Sequence, residues 1–155
     1  MAALEIPGIG EPLGQRQVRV LTFGASGESP DVTIGSGTGT TALVNIQEAN
    51  VFVENVESQV VMKVCTAAAG AVAMTIGDSD DVDGYWTDTL LNVAATSTVF
   101  ANMATTVGYA AGRLVTSTLS INLVKASALA SAGKVRLRIT YVRNADTNLN
   151  AATSS

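Results

Sequence analysis

The chain has 155 residues, of which only 14% are charged, and its nine Lys plus Arg against thirteen Asp plus Glu leave a net charge of -4. A chain of this length is expected to form one domain that buries about 70% of its unfolded surface, so it can hold a core without staples. The acidic balance argues against a nucleic-acid binder, which carries a basic stripe. The absence of His removes the usual general base, the usual zinc ligand and the serine and cysteine triads.

Residues 1–14, MAALEIPGIGEPLG, alternate apolar side chains with Pro7, Gly8, Gly10, Pro12 and Gly14. That spacing forbids a helix and discourages a strand ladder, so the segment reads as an extended arm. Either it straps a neighbouring subunit, with Leu4, Ile6, Pro7, Ile9, Pro12 and Leu13 as partner contacts, or it is a frayed terminus. It has no Lys or Arg and no apolar stretch of signal-peptide length.

Residues 15–23 alternate as a strand, with Val18 and Val20 on one face and Arg19, Leu21 and Phe23 on the other. Residues 24–40 form a glycine-rich connection interrupted by Val32 and Ile34. Its GSGTG segment lacks the Lys and the following helix that a phosphate loop needs. Residues 41–46, 50–56 and 59–66 follow as three short strands, and residues 71–76 alternate Val72, Met74 and Ile76 with small side chains. Four such runs in succession suggest a sandwich or barrel meander. Cys65, the single cysteine, cannot form an internal disulfide and reads as a small buried hydrophobe. The longest apolar run, 64–76, is interrupted and falls short of the ~18 residues that a membrane helix needs.

The most acidic segment is GDSDDVDGYW, residues 77–86. Asp78, Asp80 and Asp83 are its candidate calcium ligands, because hard cations take several oxygens from one short loop. The register departs from that of the helix-loop-helix calcium site, however, and a solvated turn is the competing reading. Tyr85 and Trp86 stand directly behind it in a chain with only 5% aromatic residues. They either close one end of the core or stand at a partner-contact surface, where such side chains are enriched. Residues 90–109, rich in β-branched side chains, are expected to be mostly strand with one turn.

The sharpest strand signal lies in KVRLRITYVR, where Val135, Leu137, Ile139 and Tyr141 alternate with polar residues. Upstream, Leu119, Ile121 and Leu123 do the same, and the two runs read as an antiparallel pair with a long connection. Arg136 and Arg138 share a face that Arg16 and Arg19 could join, forming either a solvated strand face or a docking patch for an acidic partner. The polar stretch 144–155 closes the chain.

The residues therefore predict an all-β fold: an antiparallel, jelly-roll-like β-sandwich domain over 15–143, with an extended arm at 1–14 and a polar tail at 144–155. Nothing in them carries recognisable catalysis, a resident metal or a cofactor. The combination of the GDSDDVDGYW turn, GYAAGRLVTSTLSINLV and AGKVRLRITYVR resembles small structural proteins of tailed bacteriophages, some of which are head decoration, or cement, proteins. The resemblance implies a subunit made in the host cytoplasm that assembles, commonly as a trimer, on the outer head surface. Its partners would then be further copies of itself and the major capsid protein of the same virion, with no nucleic acid or membrane. Alternatives are a tail tube or connector subunit, which would form rings, and a carbohydrate- or receptor-binding module using Tyr85, Trp86 and Tyr109.

Overall fold

A computed structural model of the chain describes residues 3–6, 14–25, 31–34, 37–47, 49–62, 73–87, 96–126 and 133–143. They form β1 (Leu4–Ile6), β2 (Arg16–Ala25), β3 (Val32–Ile34), β4 (Gly39–Ile46), β5 (Val51–Met62), β6 (Met74–Gly77), β7 (Arg113–Val115), β8 (Leu119–Lys125) and β9 (Lys134–Arg143). No helix occurs among them. The fold is all-β, as the period-two runs implied.

Two sheets divide the strands, a four-stranded sheet in the order β1-β4-β8-β6 and a five-stranded sheet in the order β3-β2-β9-β5-β7. Both are mixed: β1 runs parallel to β4 and β3 parallel to β2, while the other pairings are antiparallel. The antiparallel sandwich expected from the sequence is thus joined by one parallel strand in each sheet. A three-residue strand can add in either direction, because its pairing depends on where its connection arrives and not on a tight turn.

From β4 to β9, consecutive strands alternate between the sheets. This is a jelly-roll-like sandwich and not a meander. It also separates β8 from β9: β8 pairs with β4 and β6, and β9 with β2 and β5. Each of these strands does bury one face, as its alternation required, but alternation says nothing about which neighbour supplies the ladder.

β9 is central to its sheet, and Val135, Leu137, Ile139 and Tyr141 are all buried. They meet Leu21 and Phe23 of β2 and Val51, Val53 and Val56 of β5 in one core that includes Ile121 and Leu123 from the opposite sheet. Each such side chain stabilises the fold by about 1.5–3 kcal/mol relative to exposure. β2 follows its predicted phase, with Leu21 and Phe23 inside and Val18 and Val20 outside.

Bulges account for two departures from simple alternation. A register shift between Val53 and Asn55 lets one continuous β5 bury Val51 and Val53 before it and Val56 and Val60 after it. The sequence reading divided this strand in two because one extra residue reverses the phase of every side chain that follows. A second shift between Ala42 and Val44 turns both Leu43 and Val44 inward.

Among residues 96–109 there is no strand, only a bridge between Ala101 and Ser58, together with a hydrogen bond from Ser97 N to Val60 O (2.8 Å). This corrects the predicted strand over residues 96–109; its first part, residues 90–95, lies outside the described residues. β-branched composition favours extended backbone, yet the segment follows the edge of β5 irregularly and then turns tightly at 104–112. Cys65, the first part of the predicted 71–76 strand and the tail at 144–155 lie outside the described residues.

Candidate assembly surface

The acidic turn and the GYAAGR segment, far apart in sequence, form one network. Asp78 is 1% exposed, and its Oδ1 accepts bonds from the backbone N of Asp80 (2.8 Å) and Asp81 (3.1 Å) and from Tyr109 Oη (2.7 Å). Arg113 Nε donates to its Oδ2 at 3.2 Å, and Arg113 Nη2 binds the Asp80 carboxylate. A short polar side chain that bonds backbone amides two and three residues on defines a turn. A Cβ at Gly77 would overlap the Asp81 carbonyl, and one at Gly84 the Tyr109 ring. The turn is therefore built to this density by glycine.

In this arrangement two of the three candidate calcium ligands, Asp78 and Asp80, are paired with Arg113. The positive charge opposite Asp78 and Asp80 is a guanidinium, and among the described residues no three acidic, Cys or His groups stand where they could hold a metal ion. Burial and the nearby Asp78 carboxylate push the phenols of Tyr85 and Tyr109 upward from their ordinary value, in each case with burial as the larger cause.

Tyr85 and Trp86 are 0% and 3% exposed. Both side chains are enclosed by this chain's own core. Tyr85 meets Tyr109 edge-on, with ring centroids 4.9 Å apart. Backbone N and O of Trp86 pair with Ile76 of β6, while its indole Nε1 donates to Val56 O of β5 at 2.7 Å. One residue thus pins the two sheets to each other.

The outer face of the five-stranded sheet carries the arginines. Arg16 forms two bonds to Glu54 (2.5 and 3.1 Å), and Arg138 two to Glu57 (2.5 and 2.5 Å) while lying 4.6 Å from the Phe100 ring centroid. Arg19 takes the opposite phase and donates to Tyr141 Oη at 3.4 Å. The expected cationic docking patch is thereby largely neutralised within the chain, for Arg16 and Arg138 already have carboxylate partners. What this face presents instead is Val18 and Val20, 53% and 52% exposed, between the two ion pairs and beside Arg136.

At the far edge of the other sheet, β1 pairs with β4 in the register Leu4↔Val44, Glu5↔Asn45 and Ile6↔Ile46. Ile6 is 0% exposed and Leu4 packs against the core. In this chain these two predicted contact residues are held by its own sheet. The Glu5 carboxylate accepts from Asn45 Nδ2 (3.0 Å) and from Gln47 Nε2. Those two hydrogen bonds hold it below the usual carboxylate range. Pro7, Ile9, Pro12 and Leu13 lie outside the described residues.

The sequence reading missed Arg113 and the pairing of Glu57 with Arg138. Arg113 had no signal, because nothing in a sequence places it opposite an aspartate 35 residues away. Glu57 had one: it stands where the apolar rhythm of β5 breaks, opposite Arg138 in the register.

No protein-family model and no curated protein matches the chain. Two solved structures have its fold. A chain of the "Cyanophage Pam1 capsid asymmetric unit" superposes with a TM-score of 0.58 at 20% identity, covering 90% of this chain and 92% of that one. A chain of the "Acidic stable capsid structure of Helicobacter pylori bacteriophage KHP30" gives 0.51 at 14% identity, covering 82% and 90%.

Proposed function

We propose that this protein is a virion structural subunit: a capsid decoration protein that binds the outer surface of a phage head, next to the major capsid protein, as a homo-oligomer and most simply as a trimer. The observation that carries the reading is the end-to-end match of this fold to a chain of a phage capsid asymmetric unit. Coverage of 90% and 92% makes the two chains similar units and leaves little of either outside the shared sandwich.

Charge favours the outside of the shell over its lining. A surface facing packaged nucleic acid gains from Lys and Arg that neutralise phosphates. This chain has net charge -4 and turns Arg16, Arg113 and Arg138 onto its own carboxylates. A subunit that binds the assembled shell better than its loose components stabilises the shell by that difference. Attachment through several copies raises the effective concentration, so weak individual contacts suffice.

The test is addition of the purified chain to heads that lack it. Saturable occupancy of the outer surface, with release of nucleic acid shifted to higher temperature, is the expected result. Rings or stacked tubes without attachment to heads would overturn the reading in favour of a tail component.

A further inference from the structure

The GSGTG segment, residues 35–39, has no Lys behind it in the sequence but acquires one from across the sheet. β4 begins at Gly39, and its antiparallel register sets Gly39 opposite Lys125, the last residue of β8. Lys125 continues the inward phase of Ile121 and Leu123 and is only 5% exposed. Its neighbour on the other side of β8 is Met74. Neither residue beside it in the sheet carries a negative charge, although Lys is seldom buried without compensation of its own. Burial holds the Lys125 ammonium below its ordinary pKa.

A hollow adjoins this lysine. A pocket of about 130 Å³ is lined by Gly37, Thr38, Gly39, Thr40, Thr41 and Lys125, and it offers roughly ten times the space that one water needs. A Cβ added at Gly37 or Gly39 would meet nothing within 4 Å, so the missing side chains leave the space open. Gly39 also has a φ of +141°, which a residue with a side chain avoids. No acidic side chain lines the pocket. Its walls carry an ammonium group and three threonine hydroxyls, and β1 covers β4 only over Val44–Ile46. Among the described residues the outer edge of β4 along Gly39–Ala42 therefore has no strand partner, and alternate amides there point away from β8. Hydroxyls, backbone amides and a cation around one hollow are the donor set that a negatively charged oxygen group requires.

We infer that this pocket is an oxyanion-binding site, in which Lys125 supplies the positive charge and Thr38, Thr40, Thr41 and the adjoining amides supply hydrogen bonds. The ligand chemistry is a small group with charged oxygens: a free phosphate-like ion, or the carboxylate of an acidic side chain that reaches the pocket from outside the chain. Lys125 gives the group its charge complement in a setting of low dielectric, where such a pair is stronger than in water. The site belongs to the isolated chain and is independent of the decoration reading.

The test titrates the purified chain at neutral pH and constant ionic strength with inorganic phosphate and, separately, with acetate, while NMR follows the amide resonances of residues 37–41. Saturable shifts centred on those amides are expected. Saturation by phosphate alone assigns the site to a free tetrahedral anion, and saturation by acetate extends it to carboxylates. Saturation by neither overturns the inference. Lys125→Met keeps the length of the side chain and removes its charge, and it should weaken binding about tenfold or more. Binding by that variant as tight as by the parent chain would refute the role of Lys125. The double variant Thr38→Val, Thr41→Val leaves the lysine and the shape of the strand in place and provides a second measurement should Lys125→Met fold poorly. It too should bind more weakly, and undiminished binding would overturn the site.

Discussion

At the scale of single residues, Tyr85 and Asp78 show how differently two buried polar groups can be treated. Asp78 is saturated by backbone amides, a phenol and a guanidinium, and that is what allows a carboxylate to be buried at a turn. Tyr85 Oη, whose ring packs edge-on against Tyr109 of the same cluster, is buried with no hydrogen-bond partner among the described residues. Leaving a hydroxyl desolvated and unpaired costs about 1–3 kcal/mol. Tyr85→Phe keeps the ring and its edge contact with Tyr109 while removing that penalty. We expect it to stabilise the chain by about 1 kcal/mol, raising Tm by roughly 2–4 °C in a calorimetric scan. A fall in Tm would mean that the hydroxyl is satisfied in solution.

At the scale of elements, β1 is the strand whose attachment depends on pH. The Glu5 carboxyl is held below its ordinary value by Asn45 and Gln47. For a lowered acid the sign is definite: the contribution is present above the unfolded value near 4.5 and is lost as pH falls through the lowered folded value. As pH falls through that lowered value the strand should therefore loosen while the rest of the sandwich, where burial dominates, persists. Hydrogen exchange read at Glu5, Ile6 and Gln47 checks this. Earlier exchange there than in β9 as pH is lowered is expected, and simultaneous exchange throughout would contradict it. Deleting residues 1–14 would not be a clean removal of an arm, because it would also extract Ile6 from the core. The bulge in β5 works at the same scale: with one inserted residue, a single strand presents valines to the core in both its halves.

At the scale of the whole molecule, the alternation of consecutive strands between sheets makes almost every ladder long-range. Arg19 of β2 bonds Tyr141 of β9, 122 residues further on, and Ser120 bonds Asn45 across 75. Loop closure must precede the contacts that reward it, so chains of this kind fold in milliseconds to seconds. Stopped-flow refolding monitored by Trp86, which bridges both sheets, should fall in that range, and a microsecond phase carrying the full amplitude would refute it.

Period-two alternation in β2, β8 and β9 was enough to specify an all-β sandwich and the buried face of each of those strands, because the pleat ties side-chain direction to residue parity. The same local physics exposed the break in β5 without explaining it. Three matters were decided only by the tertiary structure: that β8 and β9 belong to different sheets, that Arg113 and Tyr109 close over Asp78, and that Leu4–Ile6 pairs with β4 as a strand. The reason is common to all three. Parity fixes which way a side chain points, but the partner that meets it lies many residues away, and its position is set by the packing of two sheets on one core.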